Sequence, residues 1–352
     1  MPKGIFSLNP KKVERALFYL LIIFLPSQLA YHFWPDWAFI FGIRVDYLAP
    51  AIYLTDILIV LLLVISRTKI KFSYFLAFSF LAFLNIYFSI SPWVSFFKWL
   101  KILELIFLAL YVSRNKDLFR RKIFIRVLGF SLMLISVVGI TQFLLGKTLG
   151  GPLYFLGERS FNIETPGIAL QNIFGRDFLR AYSTFSHPNS LAGYLFVSIV
   201  IFPPLLKKNK LVLLLSLTAF LLTFSLSAFL GASLGLPMFF MKFNFNAPEF
   251  SERISLINTA KEIILRSPLL GNGLGTFVFS NSLMQPVHNI FLLIFSETGI
   301  FGFGALVFLF YKLLRKNWYV FIFILITGFF DHYWLTLQQN VLLLALVYGY
   351  LF

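Results

Sequence analysis

The chain has 352 residues, 59% hydrophobic and 12% charged, with a mean hydropathy of +0.86. Soluble domains carry about 25% charged residues, so half the charge of a water-facing surface is missing. This excludes an ordinary soluble enzyme or a disordered binder and leaves a polytopic integral membrane protein. The absence of cysteine excludes disulfides, zinc–thiolate and iron–sulfur centres and thiol catalysis. The net charge of +16 reads as basic cytoplasmic loops rather than a nucleic-acid surface.

Ten apolar stretches are long enough to cross the roughly 30 Å hydrocarbon layer as helices. They lie at about 14–31, 47–66, 72–90, 93–112, 123–145, 189–206, 211–240, 287–311, 318–331 and 338–352. The expected architecture is an all-α polytopic bundle, a single membrane domain over 1–352. The first stretch runs into Tyr31, His32, Phe33 and Trp34, an interfacial aromatic cluster, with no small-residue cleavage site, so it reads as a crossing helix and not a cleaved signal. Nineteen of the 30 basic residues fall at 3–15, 67–71, 114–126, 207–210 and 312–316, segments shared only by Glu14 and Asp117 among the 14 acids. The positive-inside rule puts these segments and both termini in the cytoplasm. The stretch 211–240 is long for one span at about 1.5 Å per residue, and Thr223, Ser225, Ser227, Gly231 and Gly235 soften its middle. One long, tilted or broken helix keeps Lys312, Arg315 and Lys316 inside. Two short crossings would make eleven helices and put them outside.

Two outer-face loops are long enough to be functional. The first, about 146–188, carries Glu158, Arg159, Glu164, Arg176, Asp177 and Arg180. The second, about 242–286, contains an amphipathic helix. Ser251 is its expected N-cap, Ile254, Ile257, Ile264 and Leu265 its apolar face, and Pro268 with Gly271–Gly275 its end. Such a helix lies at the membrane surface and turns Arg253 toward the bilayer. The glycine run lacks the GK[ST] ending of a phosphate loop and reads as an outer turn.

All four histidines, His32, His187, His288 and His332, fall on the outer face in this arrangement, and histidine suits general-base work near neutral pH. His288 sits where an outer loop enters a helix, and a helix N-terminus keeps an imidazole neutral and favours an anion beside it. His332 follows Asp331, whose carboxylate either orients a base on another segment or is simply interfacial. His187 lies in a turn before a helix that Asn189 is expected to cap, a structural position. No metal is expected, because there is no HExxH and the histidines are far apart in sequence with few carboxylates near them. Arg180, Arg253 and Arg266 are outer-loop cations able to grip phosphate oxygens as a bidentate fork. Lys98, Lys101 and Glu104 are intramembrane charges: either functional, or a Lys–Glu pair with a snorkelling lysine. Glu297, nine residues after His288, raises the same question.

Four segments together resemble the O-antigen ligase and polymerase family. They are Ser183–Asn189 with Ala192-Gly193-Tyr194; Thr223–Ala228 with Gly231; Glu252-Arg253 leading to Pro268–Gly275; and His288-Asn289 leading to Glu297–Gly302. The resemblance implies a GT-C-like membrane fold. It also implies transfer of a glycan from undecaprenyl diphosphate to an acceptor hydroxyl on the outer face of the bacterial inner membrane, without nucleotide, metal or other cofactor. By that resemblance His288 is the catalytic base, supported by Asn289, and Arg253 binds the donor diphosphate. Where the family carries a second arginine this chain has Leu226. Arg180, Lys98 and Lys101 are the cations available to substitute, with Arg180 favoured because it precedes the His-Pro-Asn turn on the right face. The leading expectation is a ligase acting on lipid A-core or another surface acceptor. A polymerase extending the carrier-bound glycan needs the same site, and a flippase of lipid-linked glycans would show an inverted repeat, which the sequence lacks. The expected partners are the lipid-linked donor, an acceptor glycolipid or glycan and the bilayer, and no nucleic acid.

Overall fold

The computed structural model describes residues 9–202, 209–233 and 248–352 and is mostly helical. Helix α1 (Pro10–Phe24) starts at Asn9, whose side chain accepts from the Lys11 amide, with Pro10 at the first helical position. The helix stops before Pro26 and does not reach 31. Ala30–His32 (β1) instead pairs antiparallel with Ala51–Tyr53 (β4), enclosing the hairpin of Phe39–Ile40 (β2) and Ile43–Arg44 (β3). A third hairpin joins Leu170–Ile173 (β5) to Arg176–Leu179 (β6). The all-α expectation is therefore corrected. Pro26, Pro35 and Pro50 cut the helical pattern, and the aromatic and β-branched residues between them favour extended chain.

Helices α2 (Leu54–Ser66), α3 (Phe72–Tyr87), α4 (Pro92–Arg114), α5 (Asp117–Arg120) and α6 (Lys122–Leu145) follow. After the hairpin loop come α7 (Pro188–Ile201), α8 (Lys210–Leu222), α9 (Leu226–Gly231) and α10 (Pro248–Arg266). The last are α11 (Ile290–Lys316), α12 (Trp318–Phe330), α13 (Tyr333–Thr336) and α14 (Gln338–Leu351). Helices α6 and α11 are long and apolar enough to cross a membrane, and α2, α3, α7, α8 and α12 are shorter apolar helices. Helix α2 begins at 54 and not 47, because strand β4 takes the preceding residues. Large apolar side chains stand exposed along α3 (Phe72, Phe80, Phe83) and α11 (Phe301, Phe308), a surface that suits lipid and not water. The expectations at Lys3, Lys207 and Lys208, at 203–206, at 234–240 and at 242–247 lie outside the described residues.

Two interruptions shape the molecule. The stretch 211–240 breaks between α8 and α9, and the carbonyls freed there are taken from one side: Ala181 N–H donates to Leu222 O (2.9 Å) and Arg180 Nε to Thr223 O (2.5 Å). Helix α11 breaks at Gly299 (φ 63°, ψ −160°), a conformation open only to glycine. The glycine run forms the expected turn, with positive φ at Gly271, Gly273 and Gly275, and docks into this break. Asn272 N–H donates to Ser296 O, Gly273 N–H to Glu297 O, and Ile300 N–H to Pro268 O. Asn85 of α3 ties the junction by donating to Leu270 O (2.7 Å) and Glu297 O (2.9 Å) and accepting from Leu274 N–H (3.0 Å).

The core joins α4 to α14, α6 to α8, and α1 to α2 and α6. At Gly193 of α7 a Cβ would fall 2.6 Å from Tyr333 Oη, so glycine alone lets α13 lie this close to α7. The Ser190 and Asn340 side chains are hydrogen-bonded, and Asn340 Nδ2 donates to Ser190 O (3.1 Å). This fixes the start of α14 to the start of α7. Helix α10 begins at Pro248, ahead of Ser251, and buries Leu256, Ala260 and Ile263, while Ile254 and Leu265 are exposed. The expected apolar face is corrected accordingly: the helix packs inward on one stripe and leaves a second apolar stripe outside.

Candidate active site

Three chain breaks converge on one point of the molecule: the start of α7, the start of α11, and the α12–α13 junction. At the first, His187 is the N-cap, its Nδ1 accepting from Asn189 N–H (3.2 Å). Asn189 is therefore not the cap. Its side chain is free to bridge, accepting from Arg180 Nη2 (2.8 Å) and donating to Asp331 Oδ2 (2.9 Å). At the second, Asn289 caps α11 by accepting from Phe291 and Leu292 N–H (2.9 Å each), and its Nδ2 donates to Phe329 O (3.2 Å). His288, just before that cap, is thus held against the end of α12.

At the third break, Asp331 Oδ1 accepts from His332 N–H (2.7 Å), and His332 Nδ1 meets Thr336 Oγ1 at 2.7 Å. His288 Nδ1 lies 4.0 Å from Asp331 Oδ1, is buried and makes no hydrogen bond. The His288 and His332 rings are 5.0 Å apart. Arg253 of α10 reaches the end of α12, its Nη1 donating to Phe330 O (3.1 Å), one residue from Asp331. Arg180, His187, Asn189, Arg253, His288, Asn289, Asp331 and His332, spread over more than 150 residues of sequence, thus form one constellation. His32 stands apart, stacked on Trp34.

Burial is the first cause that lowers His288, to about 4, with His332 next and Asp331 opposing. Burial likewise lowers His187 to about 3, and it lowers His332. Asp331 is held at about 2: burial alone would raise it, and the surrounding His332, His187 and His288 rings with the Asn189 donor outweigh that. At neutral pH the site therefore holds neutral imidazoles, one carboxylate and two guanidiniums.

His288, Asp331 and His332 each offer a ligand atom, all within 4.8 Å of one another. The fold thus removes the sequence argument that the histidines lie too far apart for a metal. Two of the three nevertheless have hydrogen-bond partners in Thr336 and Asn189, and the Nδ1 of His288 faces the carboxylate as in a base–orienter pair.

The two lysines lie elsewhere. Lys101 is ion-paired to Asp56, with Glu104 at 3.7 Å, and Gln338 Nε2 donates to Asp56 Oδ1 (2.6 Å). This cluster carries two carboxylates to one ammonium and borders an apolar cavity of about 350 Å³ lined by Ile52, Val60, Leu61, Phe97 and Leu100. Lys98 packs under Gly275 and faces Glu297, whose carboxylate accepts from Phe277 N–H (3.1 Å). Sequence reasoning did not single out Tyr47, whose ring stands edge-on to His332 at 5.8 Å, or Arg159, whose Nη1 reaches Ser186 O at 3.5 Å. Neither has a local pattern that could mark it.

Residues 186–307 match the family model described as O-antigen ligase. The matched span holds His187, Arg253 and His288. Arg180, Asp331 and His332 lie outside it. No curated protein and no solved structure matches the chain.

Proposed function

We propose, from the premise of an O-antigen ligase domain at 186–307, that this chain is a multi-pass glycosyltransferase of the bacterial inner membrane. It transfers a glycan from undecaprenyl diphosphate to an acceptor hydroxyl on the outer face, with both termini in the cytoplasm. The acceptor is lipid A-core or another surface glycolipid. The observation that carries this reading is His288 Nδ1 facing Asp331 Oδ1 at 4.0 Å, with Arg180 and Arg253 on the same center.

The carboxylate beside Nδ1 favours the tautomer with hydrogen on Nδ1, leaving Nε2 as the base. Nε2 takes the proton of the acceptor hydroxyl as its oxygen attacks the anomeric carbon. The bond from that carbon to the diphosphate oxygen breaks, and undecaprenyl diphosphate leaves with the bonding pair. The imidazolium formed is paired with Asp331, and the attack inverts the anomeric centre. Charge growing on the diphosphate is met by fixed guanidiniums, so the step needs neither nucleotide nor metal. Arg180 and Arg253 fit this role better than Lys101, which is ion-paired to Asp56, and Lys98, which packs under Gly275 away from the histidines.

The test is a reconstituted transfer assay. The purified chain with EDTA receives an undecaprenyl-diphosphate glycan, with and without an acceptor lipid, beside His288→Ala. Acceptor-dependent product that is lost in His288→Ala, with donor binding kept, is the expected result. Carrier-linked glycan that lengthens without acceptor makes the enzyme a polymerase working through the same site. Full turnover by His288→Ala overturns the assignment of the base.

A further inference from the structure

We propose that Arg159 is a third cation of the site and directly contacts the diphosphate of the incoming donor, an inference that rests on the diphosphate-donor reading above. Its neighbour Glu158 is 2% exposed and accepts from Gln142 Nε2 (2.7 Å), Leu149 N–H (2.7 Å) and Gly150 N–H (2.6 Å). A buried carboxylate met by three donors fixes the backbone beside it. Gln142 Oε1 in turn accepts from Ser183 N–H (2.6 Å). The pin that holds residue 158 thus also holds the 180–189 segment, which carries Arg180, His187 and Asn189.

The guanidinium of Arg159 faces that segment. It reaches Ser186 O at 3.5 Å and lies close enough to Tyr47 and Tyr182 to act on both electrostatically. Tyr47 stands against His332 at 5.8 Å, and Tyr182 against His187 at 6.3 Å. Arg159 is therefore one ring removed from the histidines, at the solvent rim.

Its state differs from that of Arg121 and Arg266. Arg121 pairs with Asp117 and Arg266 with Glu262, whereas among the described residues no carboxylate pairs with Arg159. Arg180 and Arg253 commit donors to Thr223 O, Asn189 Oδ1 and Phe330 O. Arg159 is exposed and makes one long contact, to Ser186 O, out of the five N–H donors of a guanidinium. An anchored backbone under an unpaired fork is built to receive an anion that arrives from outside, and a diphosphate matches that fork bidentately.

The probe is sugar-free undecaprenyl diphosphate, titrated into the full-length chain in lipid nanodiscs. Arg159→Gln should weaken binding about tenfold or more, the scale of one charge-assisted hydrogen bond. Arg159→Lys should recover part of that, since it restores charge without the fork. Arg176→Gln, on the same loop in β6, should bind as wild type. In transfer assays Arg159→Gln should raise KM for the donor with kcat within a few-fold of wild type. Arg159→Gln binding within twofold of wild type overturns the proposal, as does an equal loss from Arg176→Gln, which would mean a diffuse charge effect. Loss confined to donors bearing acidic sugars moves Arg159 to the glycan and also overturns it. Failure of the wild-type chain to bind undecaprenyl diphosphate overturns the donor reading itself, and the Arg159 contact with it.

Discussion

Asp331→Asn isolates the electrostatic contribution to the proposed base. The change is isosteric, and the amide oxygen keeps one of the carboxylate's two acceptances, that from Asn189 Nδ2 or that from His332 N–H. What is lost is the negative charge 4.0 Å from His288 Nδ1. Two unit charges at 4 Å interact by about 4 kcal/mol at an effective dielectric near 20. The His288 side chain is 25% exposed and Asp331 9%, so solvent screens part of this and about 3 kcal/mol remains. That charge interaction exists only once the imidazole is protonated, in the transition state and after it. It should therefore appear in kcat, as a loss of somewhat over a hundredfold, with donor KM little changed. Because Asp331 raises the His288 pKa, removing it should also move the acid limb of the pH–rate profile below the wild-type value of about 4. The assay is steady-state transfer in proteoliposomes across about pH 2.5–8, wide enough to hold both limbs. A kcat within threefold of wild type, or an acid limb moving upward, would refute the pairing of Asp331 with His288.

Gly299→Ala should cost about 3 kcal/mol or more, because φ is +63° and a Cβ would meet Leu269 O at 2.1 Å; a detergent Tm equal to wild type would rule out the docked glycine run. Folding stability should fall as pH drops from about 6.5 toward 4. His187 and His288 stay neutral in the fold down to about 3 and 4, while the unfolded chain binds their protons below about 6.5. A Tm series between pH 7.5 and 5 should show this fall, and His288→Asn should flatten it; an identical slope in the variant would remove His288 from the effect.

Much of this protein is legible in its sequence because hydropathy and charge are local quantities. The stretches 72–90, 93–112 and 123–145 correspond to α3, α4 and α6 within a few residues, since an uninterrupted apolar run of that length has no other way to satisfy its backbone in lipid. His288 stood out because its place before a helix start can be seen in a few residues, and Arg180 because it shortly precedes the His-Pro-Asn turn. Tertiary structure decided what pattern could not carry. The hairpins replaced the ends of two expected helices because prolines and strand partners 20 residues away compete with the apolar run. The glycine run became the filling of a broken helix because its partners, Asn85 and Ser296, lie on other elements. The candidate site followed the same rule. Asp331 meets His288, Asn189 links it to Arg180, and Asp56 takes up Lys101, only where helices separated in sequence are packed together. Charge pairing falls off over a few ångströms, and only the fold sets those distances.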